Sequence, residues 1–317
     1  MSDLRDIFEK TKTDWDKLLK DERNSNLRIR DAAFKLNLSE AELLSTNLGD
    51  LVKFLRVDNK SDFLNRILMF LSRNDYVVHE KILSCKDVEL QQGGLIKFKN
   101  TNIDIIKFDI DSIKYIFSEK KVDNNKELRS IQFFNRQGSA IFKIYLKSDQ
   151  VKEYDLLISE FQVDYDYVLQ SSLHFNNHEM IDKKSNLVNE TFDSFKYENL
   201  IEWKCSRINK TGIFRNILEI SSKEQYELGI YVVGLNCNQF HFGLLDKVVD
   251  YRGWLNILDP EFNIHVKEDF IESKVSLFYD KKNVDHYNIQ FSDALGRCLV
   301  GILPSPGYED VIWDIVK

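Results

Sequence analysis

Two of the six histidines, His79 and His241, lie in segments whose pattern predicts β-strands. A neutral imidazole nitrogen is the commonest protein ligand for metals, so either residue could bind a transition metal. The alternative interpretation is a sheet histidine that forms a hydrogen bond to a neighbour. His265 alternates with apolar residues and is predicted to be structural. The other three histidines are predicted to lie in a linker or a turn: His174, His178 and His286.

The other reactive residue types form no recognisable catalytic motif. The sequence has no Ser/His/Asp arrangement, phosphate-binding loop or paired carboxylate motif. The four cysteines are far apart, without a Cys-x-x-Cys pair, so neither a zinc ribbon nor a thioredoxin motif is present. They are predicted to be reduced thiols of a cytoplasmic protein: Cys85, Cys205, Cys237 and Cys298.

Composition narrows the class of protein. The chain has 317 residues, of which 43% are hydrophobic and 30% charged, as in an ordinary globular protein of about two domains. The formal net charge is -7, so nucleic acid is not an expected partner. The acidic N-terminus does not resemble a signal peptide, and no apolar run is long enough to cross a membrane. We therefore expect a cytoplasmic protein without membrane insertion.

The segment from Ser130 to Tyr145 predicts a β-hairpin, because two runs rich in β-branched and aromatic residues flank a turn. The same signal recurs. The tripeptide Ile-Gln-Phe at 131–133 returns at 289–291, and a glycine follows each copy after four residues, at Gly138 and Gly296. Such a repeated signal indicates a duplicated domain.

Further landmarks upstream repeat in the same order. Gly94 corresponds to Gly253, and Phe117 corresponds to Phe278. The glycine-to-phenylalanine interval is 23 positions in the first copy and 25 in the second. We therefore predict a first repeat with a helical N-terminal segment over residues 1–162, a connecting segment over 163–198 and a second repeat over 199–317.

Local patterns predict the elements of each repeat. Helices are expected over residues 3–21, 27–44, 61–73, 148–161, 199–218 and 308–316, with a capping box at Ser39. The helical pair at 27–44 could be a DNA-binding helix-turn-helix, but a packing pair is favoured. Strands fill most of the remaining sequence. The fold class is therefore predicted to be α+β, with helices flanking an antiparallel sheet in each half.

Three segments carry a resemblance to a known family. They are residues 246–265, which include Gly-Trp-Leu-Asn-Ile and a downstream Phe-x-x-His, residues 74–81 and residues 130–138. Together they resemble the hemin-degrading factor family, the HemS-type cytoplasmic haem-utilisation proteins of bacteria, from about residue 29 to 303. The resemblance implies two similar halves whose large sheets stack centrally. It also implies haem delivered by an inner-membrane importer, then stored, passed on or opened with electrons from a reductase.

The resemblance also implies site residues. Lys210 stands where the family has its iron-ligating histidine, after Trp203. Tyr231 corresponds to an aromatic residue that packs on the macrocycle, and Lys281 or Lys282 to a basic residue that closes the pocket.

Other family positions are changed or kept. The family arginine of an early strand corresponds to Ile106, beside Lys107. A tyrosine and an arginine expected after the last strand correspond to Leu303 and Pro306. His79 keeps the family's Val-His-Glu motif.

The chemistry of haem leaves alternatives at each position. Iron needs a neutral nitrogen, thiolate, phenolate or thioether, which makes His79 the predicted metal ligand and His241 the second candidate. Lys210 could ligate iron only with a lowered pKa, and a solvated lysine is the alternative. Lys281 and Lys282 could meet the propionates or belong to a charged hairpin tip.

Three functions follow as hypotheses. The first is a cytoplasmic protein of haem and iron utilisation that binds haem after import and degrades it to release iron. The second is a carrier of a tetrapyrrole without turnover. The third is a divergent family member that has lost haem and acts through protein contacts.

Overall fold

The structure is a computed structural model, and its contacts divide the chain into two units that are each discontinuous in sequence. The first unit contains residues 1–69 and 110–183, and the second contains residues 70–109 and 184–317. The boundaries at 162 and 199 concern the two sequence repeats, which differ from these two units, and they stay a prediction. The structure describes residues 4–21, 27–57, 68–74, 76–83, 88–91, 94–98, 105–123, 126–146, 151–164, 203–208, 211–234, 236–260, 262–271, 274–280, 287–305 and 307–316.

The described α-helices begin near the predicted positions in the N-terminal part of the chain. At Ser39 the predicted capping box is present, because the hydroxyl accepts the N–H of Glu42 and the Glu42 carboxylate accepts the N–H of Ser39. No helix of the described residues is long and apolar enough to span a membrane. The helices are α1 (Leu4–Lys20), α2 (Ile29–Lys35), α3 (Glu40–Ser45), α4 (Val151–Phe161), α5 (Ile213–Glu224), α6 (Glu268–Ile271) and α7 (Glu309–Val316).

Eighteen strands are described. They are β1 (Val52–Phe54), β2 (Leu68–Arg73), β3 (Val77–Leu83), β4 (Val88–Gln91), β5 (Leu95–Phe98), β6 (Ile105–Phe108), β7 (Tyr115–Asp123), β8 (Lys126–Phe134), β9 (Ala140–Leu146), β10 (Trp203–Ile208), β11 (Leu228–Val233), β12 (Cys237–Gly243), β13 (Lys247–Tyr251), β14 (Trp254–Leu258), β15 (Phe262–Val266), β16 (Lys274–Asp280), β17 (Tyr287–Ser292) and β18 (Cys298–Pro304).

Two predicted helices are wrong over part of their length. Residues 68–73 form β2, although the pattern predicts a helix over 61–73, of which 61–67 lie outside the described residues. Residues 203–208 form β10, and the helix predicted over 199–218 begins only at Ile213. Short apolar runs fit either element, and strand pairing decides between them. All six residues of β10 pair with β16.

The order of elements confirms the duplication. Strands β1 to β9 followed by α4 recur as β10 to β18 followed by α7. The glycines that mark the repeat adopt the same left-handed backbone, with φ of 79° at Gly94 and 75° at Gly253, and 76° at Gly138 and 82° at Gly296. These positions need glycine because a side chain strains that conformation. The predicted α+β fold with a tandem duplication is therefore confirmed.

One predicted correspondence is wrong by two residues. Gln132 pairs with Phe117, whereas Gln290, its counterpart in the second repeat, pairs with Ser276. The ladder therefore equates Phe117 with Ser276 and not with Phe278. Counting along the chain gave the wrong match because register is set by strand pairing.

In the first unit, β1, β7, β8 and β9 pair in that order and are antiparallel. One face of this meander carries Phe117 and Phe134, whose rings meet edge to face at 5.7 Å. Ala41 and Leu44 of α3 pack on these rings. The N-terminal helices therefore cover this face of the first repeat.

A buried ion pair lies on the same covered face. The ammonium of Lys143 on β9 lies 3.8 Å from the carboxylate of Glu40 at the start of α3, and both side chains are buried. Arg30 approaches the same carboxylate at 3.6 Å. Lys143 pairs with Gln132 across the strands, so its side chain shares the face of Gln132.

In the second unit, the repeats exchange strands. One sheet has the order β10-β16-β17-β18-β11-β12-β6-β5-β4, and its last three strands come from the first repeat. Reciprocally, β13, β14 and β15 of the second repeat join β3 of the first through the pairing of β15 with β3. Each three-stranded meander therefore pairs with a strand of the other repeat and extends that repeat's sheet.

A large apolar core lies in the second unit. Ile230 of β11, Ile264 of β15 and Phe291 of β17 are all buried in it. Phe214 of α5 meets Phe291 edge to face at 5.0 Å. The core therefore lies on one face of the nine-stranded sheet, and we call the opposite face the outer face.

Candidate functional site

An aromatic cluster lies on the outer face of the second unit. Ile230 and Val232 belong to the core, so the alternation of β11 places Tyr231 on the other side of the sheet. Tyr231 packs there with Phe240 of β12 and Leu303 of β18. Three partly buried side chains complete this cluster, which we call the outer-face cluster: Val233, Phe242 and Cys298.

The Tyr231 ring lies against Gly301, its cross-strand partner on β18. A Cβ atom at Gly301 would lie 2.0 Å from the ring, so this arrangement requires glycine. The Tyr231 hydroxyl donates to Asn288 Oδ1 at 3.0 Å. Burial raises the pKa of Tyr231 well above its usual value, so the phenol is neutral.

The equivalent face of the first repeat has a buried lysine, Lys143, where the second repeat has Gly301. Ile131 pairs with Ile144, and Ile289 pairs with Ile302, so Lys143 occupies the position of Gly301. A buried, ion-paired lysine therefore stands where the second repeat leaves room for an aromatic ring.

Two lysines reach the outer face from the exchanged strands. Ile96 and Ile106 are fully buried on the core side, so alternation places Lys97 and Lys107 on the outer face, where both are partly exposed. Lys107 is the cross-strand partner of Asn238 on β12. Of the adjacent residues Ile106 and Lys107, it is therefore Lys107 that lies on the outer face. The sequence signal that could have found it is its alternation with the buried isoleucine.

His79 and His241 lie on the opposite, core side of the sheets and meet the same ring. The His241 imidazole stacks on Phe262 with centroids 3.7 Å apart, and His79 contacts Phe262 edge to face at 5.9 Å. His79 is fully buried. The structure therefore brings the two histidines together, away from the outer-face cluster.

The two histidines are not repeat equivalents. Counting from the first residue of β3 and of β12, the counterpart of His241 is Lys81 and the counterpart of His79 is Gln239. Lys81 Nζ lies 3.3 Å from His241 Nδ1, and both side chains are buried.

His265 has the structural surroundings that its alternation predicts. Its Nδ1 lies 2.6 Å from Asn256 Oδ1, and its Nε2 lies 3.8 Å from the Glu80 carboxylate. Asn256 Nδ2 donates to the carbonyls of Val249 and Trp254, which leaves Oδ1 as the acceptor, so His265 Nδ1 carries the proton.

Three predicted site residues, Lys210, Lys281 and Lys282, lie outside the described residues. Within the described ranges, no group of three or more His, Cys, Asp and Glu side chains could hold a metal ion. Burial raises the pKa of the Cys298 thiol to about 12, and it raises that of Cys237 as well, so neither offers a thiolate near neutral pH.

Comparison with known proteins finds one family model and several relatives that resemble this chain. The model of the haemin-degrading HemS.ChuX domain matches residues 37–161. The hemin transport protein HmuS of Yersinia pestis is 23% identical over 267 residues, which cover 76% of this chain and 77% of that protein. The hemin transport protein HemS of Yersinia enterocolitica is 23% identical over 272 residues, 78% and 79% of the two chains.

Solved structures share the fold over nearly the whole chain. Holo-PhuS, a heme-binding protein from Pseudomonas aeruginosa, has a TM-score of 0.77 at 20% identity, with 98% of each chain covered. The heme degrading enzyme ChuS from Escherichia coli O157:H7 has a TM-score of 0.76 at 21% identity, with 95% of each covered. The domain match at 37–161 and the repeated order of strands support the resemblance of this chain to the hemin-degrading factor family.

Proposed function

We propose that this protein binds haem on the outer face of the second unit. The observation that carries the proposal is an aromatic cluster beside two cations: buried Tyr231 and Phe240 with partly buried Phe242 on one side, and Lys97 and Lys107 on the exchanged strands. A macrocycle needs apolar or aromatic walls, and its two propionates need cations. The names of the relatives, hemin transport proteins and a heme-binding protein, support the same ligand.

The iron ligand is a separate part of the proposal. The raised pKa values of Tyr231 and Cys298 disfavour a phenolate or thiolate ligand from the outer-face cluster. Lys210 remains the family-derived candidate. His79, the predicted metal ligand, and His241 remain predictions too, and each would require iron to enter the core side of the sheets.

The proposed cellular role is to accept haem in the cytoplasm after import. The importer that delivers the haem and a reductase that supplies electrons are the proposed partners. Haem supplies its own iron for ring opening by dioxygen and electrons, and the protein supplies binding and orientation. Ring opening is proposed by analogy with ChuS, which is described as a heme oxygenase.

A carrier without turnover is the second candidate. It is favoured because the outer-face cluster, within the described residues, contains no histidine and no ionised tyrosine or cysteine. Strong ligation by the protein is not needed for a carrier that must pass haem on.

A hemin titration of the purified protein, followed by absorbance, tests binding. We expect a saturable Soret shift at equimolar hemin. The double variant Lys97→Ala/Lys107→Ala should bind roughly tenfold more weakly, because the propionates lose charged partners. Lys247→Ala, at an exposed lysine on β13, is the matched control and should bind as the wild type does. A spectrum identical to that of hemin with an unrelated protein would contradict the proposal.

Adding ascorbate in air to the loaded protein separates the two candidates. Loss of the Soret band that continues in the presence of catalase would indicate ring opening by the bound complex. A stable Soret band would leave the carrier. Catalase is needed because free peroxide also bleaches haem without any contribution from the protein.

A further inference from the structure

Asn238 on β12 is a buried amide without a hydrogen bond. Its side chain is 2% exposed, and neither Nδ2 nor Oδ1 has a hydrogen-bond partner in the part of the chain that the structure describes. The great majority of buried polar side-chain atoms in proteins are paired, and an unpaired one costs stability. Asn238 is therefore expected to destabilise the unbound protein, which suggests that its amide has a role in binding a ligand.

The strand register places this amide on the outer face. Asn238 pairs with Val233 on one side and with Lys107 on the other. Val233 packs on the outer-face cluster, and cross-strand partners share a face of the sheet. The unpaired amide therefore lies between the outer-face cluster and a lysine.

The fold itself does not need a polar residue here. Val78 is the second residue of β3, as Asn238 is the second residue of β12, so valine fills the equivalent position in the first repeat. Val78 also pairs across the strands, with His265. The strand pairing at this position is therefore compatible with an apolar side chain.

We propose that Asn238 is a specificity-determining residue that binds the carboxylate edge of the ligand. The proposal rests on the proposed function and names the group that the amide recognises. Asn238 Nδ2 donates to a carboxylate oxygen, while the Lys107 ammonium neutralises the same carboxylate. A ligand that fills this face without a carboxylate leaves the amide unpaired.

Two ligands and one substitution test this role. Hemin and its dimethyl ester share the ring and the iron, but the ester lacks the charged carboxylates. The wild type should bind hemin about tenfold more tightly than the ester. Asn238→Val, which copies the first repeat, should lose most of this preference by weakening hemin and leaving the ester unchanged.

The thermal midpoint without ligand provides an independent readout. Asn238→Val should raise it by about 2–4 °C, because a buried unpaired amide is replaced by an apolar group. Asn288→Val is the contrast, since it removes a buried amide that accepts the Tyr231 hydroxyl, and it should lower the midpoint. Unaltered preference in Asn238→Val, or an equal loss for both ligands, would overturn the role of Asn238 alone. A wild type that binds neither ligand would overturn the proposed function and this role with it.

Discussion

Lys81 and His241 hold the same position in the two repeats, and they contact each other, with Lys81 Nζ 3.3 Å from His241 Nδ1. An ammonium can only donate, so His241 accepts at Nδ1 and carries its proton at Nε2. The two strands that carry these residues each receive an exchanged meander from the other repeat. The contact therefore links the two repeats where they exchange strands.

A double-mutant cycle should reveal this link. Lys81→Met and His241→Phe should each lower the free energy of unfolding, and their effects should differ from additivity by about 0.5–3 kcal/mol, since the residues are in contact. Urea unfolding of the two single variants and the double variant measures the coupling. Lys81→Met combined with Lys223→Ala, at an exposed lysine of α5, should be additive. Additivity in both cycles would show that the contact contributes nothing.

Gly301 is expected to be irreplaceable while Tyr231 lies against it. Gly301→Ala should destabilise the protein by about 1–3 kcal/mol, because its Cβ would overlap the ring. In a Tyr231→Ala background the same substitution should cost much less, because the space is then empty. Gly253→Ala is the control: its cost arises from φ alone, with no atom within 4 Å of the added Cβ, and should not depend on Tyr231. Equal costs of Gly301→Ala in both backgrounds would refute the steric explanation.

Alkaline pH should destabilise the second unit. Burial raises the pKa of Cys298 from 9.0 to about 12, so between these values the unfolded thiol loses its proton and the folded thiol keeps it. The stabilising contribution is complete below the unfolded pKa and is lost as pH rises through the folded one. Cys298→Ala should reduce the fall in unfolding free energy by up to about 1.4 kcal/mol per pH unit in this range. Leu295→Ala, at an exposed side chain without a titratable group, should leave the slope unchanged.

The ion pair of Glu40 and Lys143 should matter for the first unit. Glu40→Gln leaves the buried Lys143 ammonium without its carboxylate, which should cost on the order of 3 kcal/mol. Asp14→Asn removes an exposed pair with Lys17 and should change stability by less than about 0.5 kcal/mol. Thermal unfolding of both variants compares them. A neutral Glu40→Gln would show that the pair merely fills space beneath α3.

Local chemistry in the sequence determined the repeat and many of its elements. The glycines at 94, 138, 253 and 296 signal turns, because only glycine tolerates their backbone without strain, and all four adopt positive φ. The capping box at Ser39 follows from the same kind of local rule. These features need only neighbours in sequence, so the sequence specifies them alone.

Tertiary structure decided which elements meet. The exchange of β4–β6 and β13–β15 between the repeats depends on the pairing of β6 with β12 and of β15 with β3. The hydrophobic periodicity of a segment does not indicate which strand it pairs with. Other pairings made strands of residues 68–73, which lie between β9 and β3, and of residues 203–208, which pair with β16. The registers of β7 with β8 and of β16 with β17 moved the counterpart of Phe117 by two residues. Register is a property of two strands together, so one segment cannot reveal it.

For the candidate site too, some features could be predicted from the sequence and others only from the structure. The sequence resemblance predicted Tyr231 as an aromatic contact of the ligand, and that stays a prediction. Alternation alone could have placed Lys97 and Lys107 on one face. Only the folded chain shows that His79 and His241 meet at Phe262 on the core side, while Tyr231 and Asn238 share the outer face. Which face a residue occupies depends on what packs against each side of the sheet, and that is decided by long-range contacts.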